Sequence, residues 1–553
     1  MMDAKLEQRE KERKIVMKQH QKVTVVLCLT WVLTLLYGEM FAFWLPFLYS
    51  CSWSQPDSSS SSTNSSLRIN ASGDFVKVAV LADPQLMDKT SHNLPPKSLA
   101  LGLAQFYTDL FMRRAFLASV LPFKPDVILF LGDYFDGGPY LSDVEWQESL
   151  SRFNHIFGFK NQARYKDIPV YYLPGNHDIG YSSLHSHKPE VIRRYENIFG
   201  KRNFRFTVGK VEFISVDAQT LDGHPEGQLT SETWDFIKNV SVDVQSLPRV
   251  LLMHIPLYRR DWTPCGPHRN SPVINQRILR TGPGQQILYQ NYITEESSNH
   301  LLDLIKPVLV LSGHDHDQCT VIHKSKFGPI KEHTVGTISW QQGNLYPSFM
   351  LLSVSKAALL GTSSPEEAVS THLCFLPKQT HIYIWYLSLF ILTLFALLVW
   401  PTSGLGFWLR YSDLVEYSQK LMSCNIFKGG TKEKNEDELC EYEMIWDVEG
   451  SMHLIKKPIS TAISHSSDRG TIERGNAVMR STARKNVSQE IEVCKNMDMS
   501  VDDPTTKLPP KTSKSKTNFI ITRLVRTFRM LTFIAAVNIS LYMMLLFKDW
   551  IDI

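Results

Sequence analysis

Two kinds of apolar run alternate with polar sequence along this 553-residue chain. Five are short: Phe75 to Ala82, Val127 to Leu131, Val170 to Leu173, Val250 to Met253 and Val308 to Leu311. Each is rich in β-branched or aliphatic residues and bounded by turn formers, and so predicts a buried strand. Three are long: Val23 to Tyr49, Ile382 to Trp400 and Met530 to Phe547. Each long run can cross a bilayer as a helix. The pattern divides the chain into an N-terminal segment 1–22, a span 23–49, a Ser-rich linker 50–73 and a folded domain 74–375. A second span 382–400, a polar segment 401–529, a third span 530–547 and a tail 548–553 complete it.

Each short run is closely followed by polar chemistry: Asp83-Pro84-Gln85, Gly132-Asp133-Tyr134-Phe135-Asp136, Gly175-Asn176-His177-Asp178, His254 and Gly313-His314-Asp315-His316. In open α/β sheets ligands bind beyond the carboxyl ends of strands, so five such strands would gather these side chains at one edge. A lone Asp after a strand is ordinarily a turn or helix cap, and a lone His is no stronger a signal. Two imidazole-rich or polar turns after apolar strands are hard to justify by packing, and the combination favours a single site. Hard oxygen ligands with imidazole suit Mn²⁺, Fe or Zn²⁺, whereas softer metals favour thiolate. Two cations about 3.5–4 Å apart need a shared carboxylate, and such a pair can activate water while neutralising phosphate oxygens.

Asp133 is the candidate bridge. Asp83, Gln85 and His316 join it around one metal, and Asn176, His254 and His314 around the other. His177 is left free as a general acid for the leaving oxygen, with Asp178 placed to orient its ring. Asp136 is expected to brace the loop.

These segments resemble the calcineurin-like metallophosphoesterase superfamily, whose pattern runs Asp-x-His, Gly-Asp-x-x-Asp, Gly-Asn-His-Asp/Glu, His, Gly-His-x-His. The chain departs once, with Gln85 where the first His is usual; an amide oxygen still coordinates a hard cation. The resemblance covers residues 74 to about 356. It implies an α/β fold, a four-layer αββα sandwich, here with flanking transmembrane helices, and two divalent metal ions, with Mn²⁺ expected.

A narrower resemblance rests on Leu81-Ala82-Asp83-Pro84-Gln85-Leu86, His254-Ile255-Pro256-Leu257-Tyr258-Arg259, Cys265-Gly266-Pro267 and Ser348-Phe349. These segments are similar to the membrane-bound branch that removes ethanolamine phosphate from glycosylphosphatidylinositol (GPI) anchors. That likeness implies a GPI-anchor glycolipid or GPI-anchored protein as substrate, and residence in the endoplasmic reticulum or Golgi.

Charge sharpens the topology. A net charge of +4 is too small to imply a nucleic-acid partner. Seven Lys or Arg against four acids in the first 22 residues, and Arg523, Arg526 and Arg529 ahead of the third span, put both flanks in the cytosol by the positive-inside rule. The first span is longer than the core of a cleaved signal peptide and predicts an uncleaved anchor. The domain and the C-terminal tail are then luminal, where Asn64, Asn70 and Asn239 head glycosylation sequons; the sequon at Asn486 stays cytosolic. Glu39 interrupts the first span, marking either a polar contact or the interface. Cys51, Cys265, Cys319 and Cys374 meet the oxidising side; Cys265 with Cys319 is one possible bridge, separate thiols the other reading. Segment 401–529 reads as largely disordered.

The stretch Tyr258 to Thr294 carries Arg259, Arg260, Arg269, Arg277 and Arg280 among aromatic residues. Arg pairs bidentately with phosphate, so Arg259, Arg260 and Arg269 are candidate substrate contacts, against the plainer reading of a solvated loop. Three functions fit: the GPI phosphodiesterase; a luminal phosphoesterase for a nucleotide, nucleotide sugar or phosphoprotein; and a non-catalytic GPI-binding cargo receptor.

Overall fold

The computed structural model describes residues 2–54, 75–158, 167–185, 187–271, 277–281, 286–356, 365–400, 440–446, 452–458 and 514–551. The domain contains thirteen strands among these: β1 (Phe75–Leu81), β2 (Val127–Phe130), β3 (Val170–Tyr172), β4 (Phe204–Val208), β5 (Val211–Ser215), β6 (Arg249–Leu252), β7 (Ile278–Thr281), β8 (Gln286–Gln290), β9 (Leu309–Ser312), β10 (Cys319–Ser325), β11 (Gly328–Thr334), β12 (Ser348–Ser355) and β13 (Val369–Phe375). One sheet has the order β13-β12-β1-β2-β3 and a second β10-β11-β9-β6-β5-β4. The five predicted runs are β1, β2, β3, β6 and β9, and within each sheet the neighbours among them pair in parallel.

The alternation of side chains along each strand explains why two sheets form and why both are covered. On β1, Val78 and Val80 join Leu129 of β2 and meet Phe213, Leu252 and Leu311 of the second sheet in one core. The intervening Ala79 and Leu81, with Ile128 and Phe130, pack outward on helices Leu99–Arg114 and Asp143–Phe157. On the second sheet Ile214, Leu251 and Val310 pack outward on helices Gln228–Val242 and Glu295–Ile305. The result is the expected four-layer αββα sandwich. Strands buried on both faces read as continuous apolar runs, which is why β1, β2, β6 and β9 were legible; β3, a half-buried edge strand, showed through its Val-Tyr-Tyr run. The other edge strands carry polar residues and gave a weaker signal.

Among the described residues three helices are long and apolar enough to cross a membrane: Met17–Ser50, Gln379–Val399 and Ile520–Trp550. The third belongs to a continuous helix, Lys514–Trp550, so Arg523 and Arg526 lie on it and not in a preceding loop. They donate to the carbonyls of Val399 (3.2 Å) and Trp400 (2.8 Å), satisfying acceptors at the end of the second helix. Trp31 Nε1 donates to Thr393 Oγ1 at 2.9 Å between the first and second helices.

Residues 55–73 of the Ser-rich linker, with Asn64 and Asn70, lie outside the described residues, as does Asn486. Asn239 is exposed on its helix. In the segment read as largely disordered, Cys440–Trp446 and Met452–Pro458 pair as an antiparallel hairpin. The pairing follows from a β-prone Tyr-Glu-Met-Ile-Trp run. Cys265 is bridged to Cys319, and Cys51 to Cys374. The second bridge, which ties the end of the first long helix to β13, had no local signal in sequence.

Candidate metal centre

Just beyond the carboxyl ends of β1, β2, β3, β6 and β9 the chain turns sharply. Of ten non-glycine residues with positive φ among those described, five are candidate ligands: Asp83 (49°), Gln85 (41°), Asp133 (56°), His314 (70°) and His316 (54°). Such backbone costs roughly 1–2 kcal/mol per residue and persists only where its surroundings hold it. Here Gln85 N–H donates to Asp133 O (2.8 Å), Gly313 N–H to His254 O (3.0 Å) and His314 N–H to the Asp83 carboxylate (3.0 Å). Two glycines are required by crowding. A Cβ on Gly175 would overlap the Asp133 carboxylate, and Gly132, at φ 101°, sits against His254 Nδ1.

The turns bring the predicted ligands into two groups that share one residue. Ligand atoms of Asp133, His254 and His314 lie within 4.8 Å of one another, as do those of Asp83, Asp133 and His316. Asn176 Oδ1 is 3.1 Å from His254 Nε2, which puts it in the first group. Gln85 Nε2 donates to Asp136 Oδ1 at 3.2 Å, and its Oε1 is buried without a hydrogen-bond partner. Asp133 Oδ2 likewise accepts no hydrogen bond, although His254 Nε2 is 3.2 Å away.

The imidazoles are preset. His254 Nδ1 donates to Leu131 O at 2.7 Å, leaving Nε2 as its available lone pair. His314 Nε2 lies 3.1 Å from Gln290 O, at the end of β8, leaving Nδ1. Burial pushes His314 down to about 3 and His316 down to about 4, so both are neutral donors at physiological pH. Burial lifts the Asp83 carboxyl to about 8, partly offset by His254. Burial would also raise Asp133, but His254 and His177 hold it below the usual carboxylate range. For His254 burial works downward, and the Asp133 charge overcomes it to lift the ring to about 9. Buried oxygens without donors, set among oriented imidazoles, are the donor set that divalent cations fit.

Two expectations change. Asp178 accepts three backbone N–H groups at 2.8 Å, from Asp133, Tyr134 and Gly175, and so folds two ligand turns together. It does not orient the His177 ring. That contact falls to Asp136, whose carbonyl oxygen bonds His177 Nδ1 and whose carboxylate is 3.6 Å from it. Asp136 also accepts from Ser91 Oγ and Gln85, bracing the loop as expected. For His177 burial acts downward, while Asp133 and Asp136 raise the ring above its ordinary value.

Arg259 and Arg269, expected as substrate contacts, are engaged by carboxylates of the domain itself. Arg259 is fully buried and pairs with Asp315 (3.5 Å) and Glu332 (3.2 Å), and Arg269 pairs with Asp315 at 2.7 Å. Tyr292 OH adds a bond to Asp315 at 3.2 Å. Buried carboxylates need countercharge, and these two arginines supply it beneath the His314–His316 turn. Arg260 alone of the three is exposed.

Several supporting groups escaped sequence reading. Thr337 Oγ1 donates to Asp83 O (2.5 Å), Asn344 Nδ2 to His316 O (2.6 Å), and Gln341 and Gln342 to Gln85 O (3.4 and 3.3 Å). Trp340, in the same loop, packs on Tyr383 of the second long helix with ring centroids 5.7 Å apart. Neutral polar residues in a loop carry no periodic signal; Asp315, between two predicted ligands, was the one visible clue.

Residues 76–318 match the calcineurin-like phosphoesterase family. The chain is 30% identical over 322 residues to Cell division control protein 1 of Saccharomyces cerevisiae, covering 56% of this chain and 63% of that one. It is 30% identical over 299 residues to Metallophosphoesterase 1 of Danio rerio, covering 50% of this chain and 71% of the relative. The chain thus spans less than two thirds of the yeast relative's length. Among solved structures, a purple acid phosphatase from yellow lupin seeds aligns at 12% identity with a TM-score of 0.31, over 54% of this chain and 53% of that one.

Proposed function

We propose, from the premise that this chain belongs to the calcineurin-like phosphoesterase family, that it removes ethanolamine phosphate from the glycan of GPI anchors while tethered to the membrane that carries them. Membership makes the protein a metal-dependent phosphoesterase. The diester, its bearer and the compartment are the proposed part. The observation that carries the reading is Asp133 common to both ligand groups, with His177 joined to it through its backbone N–H at 2.8 Å.

Asp83, Gln85, Asp133 and His316 would hold one cation, and Asp133, Asn176, His254 and His314 the other, with Mn²⁺ the proposed metal. When bound, the pair supplies Lewis acidity toward the phosphate oxygens and the attacking water. His177 keeps Nδ1 on the Asp136 carbonyl, so Nε2 is the atom that holds the proton for the departing oxygen. The raised affinity of this ring for its proton suits that task.

The substrate reading is supported by the narrower sequence resemblance and by three apolar helices attached to the domain. Two disulfides support an oxidising compartment, proposed as the endoplasmic reticulum or Golgi lumen. The test is to chelate the purified chain, restore Mn²⁺ and offer a GPI glycan bearing ethanolamine phosphate, beside an Asp133→Ala control. Metal-dependent release of ethanolamine phosphate, absent from the control, is expected. Turnover of a generic phosphodiester without that release would overturn the substrate and keep the enzyme.

A further inference from the structure

Away from the metal centre, a cavity of about 430 Å³ lies between the end of the first long helix and the domain's helix around Arg114. Its size is that of a ligand pocket. No candidate metal ligand lines it, nor does His177. Met40, Phe43, Trp44 and Phe47 form one wall, and Leu117, Ala118 and Pro122 the other. Lys548 and Asp549, from the end of the third helix, close one end.

The polar groups at that end are unequal. Arg114 pairs with Glu39 and, at 2.8 Å, with Asp549, and donates to Leu545 O at 3.1 Å. Glu39 also accepts from Tyr386 OH at 2.8 Å. Those groups satisfy one another and have little charge left to offer. Lys548 differs: its side chain is 53% exposed, and its ammonium is 3.7 Å from Asp549, beyond a close pair. The cavity therefore combines apolar and aromatic walls with one accessible cation.

Its position points to the occupant. Trp44 and Phe47 stand near the end of the apolar helix Met17–Ser50 and are partly exposed, as are aromatic side chains where a span leaves the bilayer. A lysine at that level attracts lipid phosphate. We infer that this cavity binds a glycerophospholipid of the surrounding leaflet, one acyl chain lying between the Phe43 and Leu117 walls and the phosphate resting on Lys548. The lipid then fills the seam between the first helix and the catalytic domain.

The test uses the full chain reconstituted into phosphatidylcholine nanodiscs, with a trace of phosphatidylcholine carrying a photoreactive acyl chain. Labelling is expected in Met40–Leu48 and Leu117–Pro122. Ala118→Trp, which fills the cavity, abolishes it there while general labelling of the helices persists. Lys548→Gln weakens it roughly fivefold, the value of one lysine near a membrane surface. Unlabelled phosphatidylcholine competes, diacylglycerol competes roughly fivefold less well, and inorganic phosphate alone does not. Labelling unchanged by Ala118→Trp, or diacylglycerol competing as well as the phospholipid, would overturn the inference. If Ala118→Trp does not fold, Lys548→Gln at an exposed position decides: unchanged labelling and unchanged selectivity against diacylglycerol overturn it.

Discussion

The metal centre and the junction between the long helices and the domain are both buried clusters of charge, and they are built on opposite plans. At the junction Glu39, Arg114, Asp549 and Tyr386 close on one another, leaving each charge with a partner. At the metal centre Gln85 Oε1 and Asp133 Oδ2 accept no hydrogen bond, and the neighbouring imidazoles are held by their far nitrogens. A buried polar group without a partner costs free energy, so a cluster that keeps several is shaped for something it binds. In this pair of clusters, mutual charge pairing accompanies a structural role and unmatched ligand oxygens accompany the candidate metal site.

Asp133→Ala should break the comparison most deeply on the metal side. With the shared ligand gone, hydrolysis should fall by about a thousandfold or more, equivalent to about 4 kcal/mol of barrier, and metal content measured by mass spectrometry should drop. Retained turnover would refute the two-group arrangement. Arg114→Ala is the counterpart at the junction. It leaves Glu39 buried without countercharge, takes the nearer cation from Asp549, and should cost about 3–5 kcal/mol of stability. Unfolding in detergent should show this, while turnover per folded molecule stays near wild type.

Arg259→Ala lies between the two plans, since this guanidinium pairs with two carboxylates yet stands behind the ligand turn through Asp315. Metal affinity should weaken about 10–100-fold, read by competition with a chelating dye. Glu332 supplies a pH test. Burial works to raise it, but Arg259 and His323 hold it down at about 2, below the ordinary 4.5. A folded value below the unfolded one stabilises the fold above about pH 4.5 and loses that stabilisation as pH falls toward 2. Unfolding midpoints between pH 6 and pH 3 should therefore decline less steeply in Glu332→Gln. The smallest effect expected is from Gln85→His, which supplies the usual family ligand. The fold should be unchanged, with preference moving from Mn²⁺ toward Zn²⁺ in a metal competition assay.

The parts of this protein legible in sequence were those that leave a local signature. β1, β2, β6 and β9 are largely buried on both faces and so appear as apolar runs, β3 is a half-buried edge strand of apolar and aromatic residues, and the ligands follow all five directly. Their division into two groups around Asp133 could be read before the turns that create it were seen. The three long helices declared themselves by length. For Arg259 and Arg269 the sequence shows a cation but not the carboxylate beneath it; both answer Asp315. Asp178 misled for a related reason, being adjacent to His177 in the chain but bonded to backbone donors around Asp133. Glu39 could not be resolved until Arg114, seventy-five positions away, was found against it. Composition, periodicity and motif spacing thus determined the main elements, the chemical class and the candidate ligands. Tertiary structure decided which charges are neutralised, which backbone turns are held in left-handed conformations and which polar atoms remain unmatched. Those outcomes depend on partners distant in sequence, because burial makes the free energy of a charge or a hydrogen-bonding group depend on whatever the fold brings beside it.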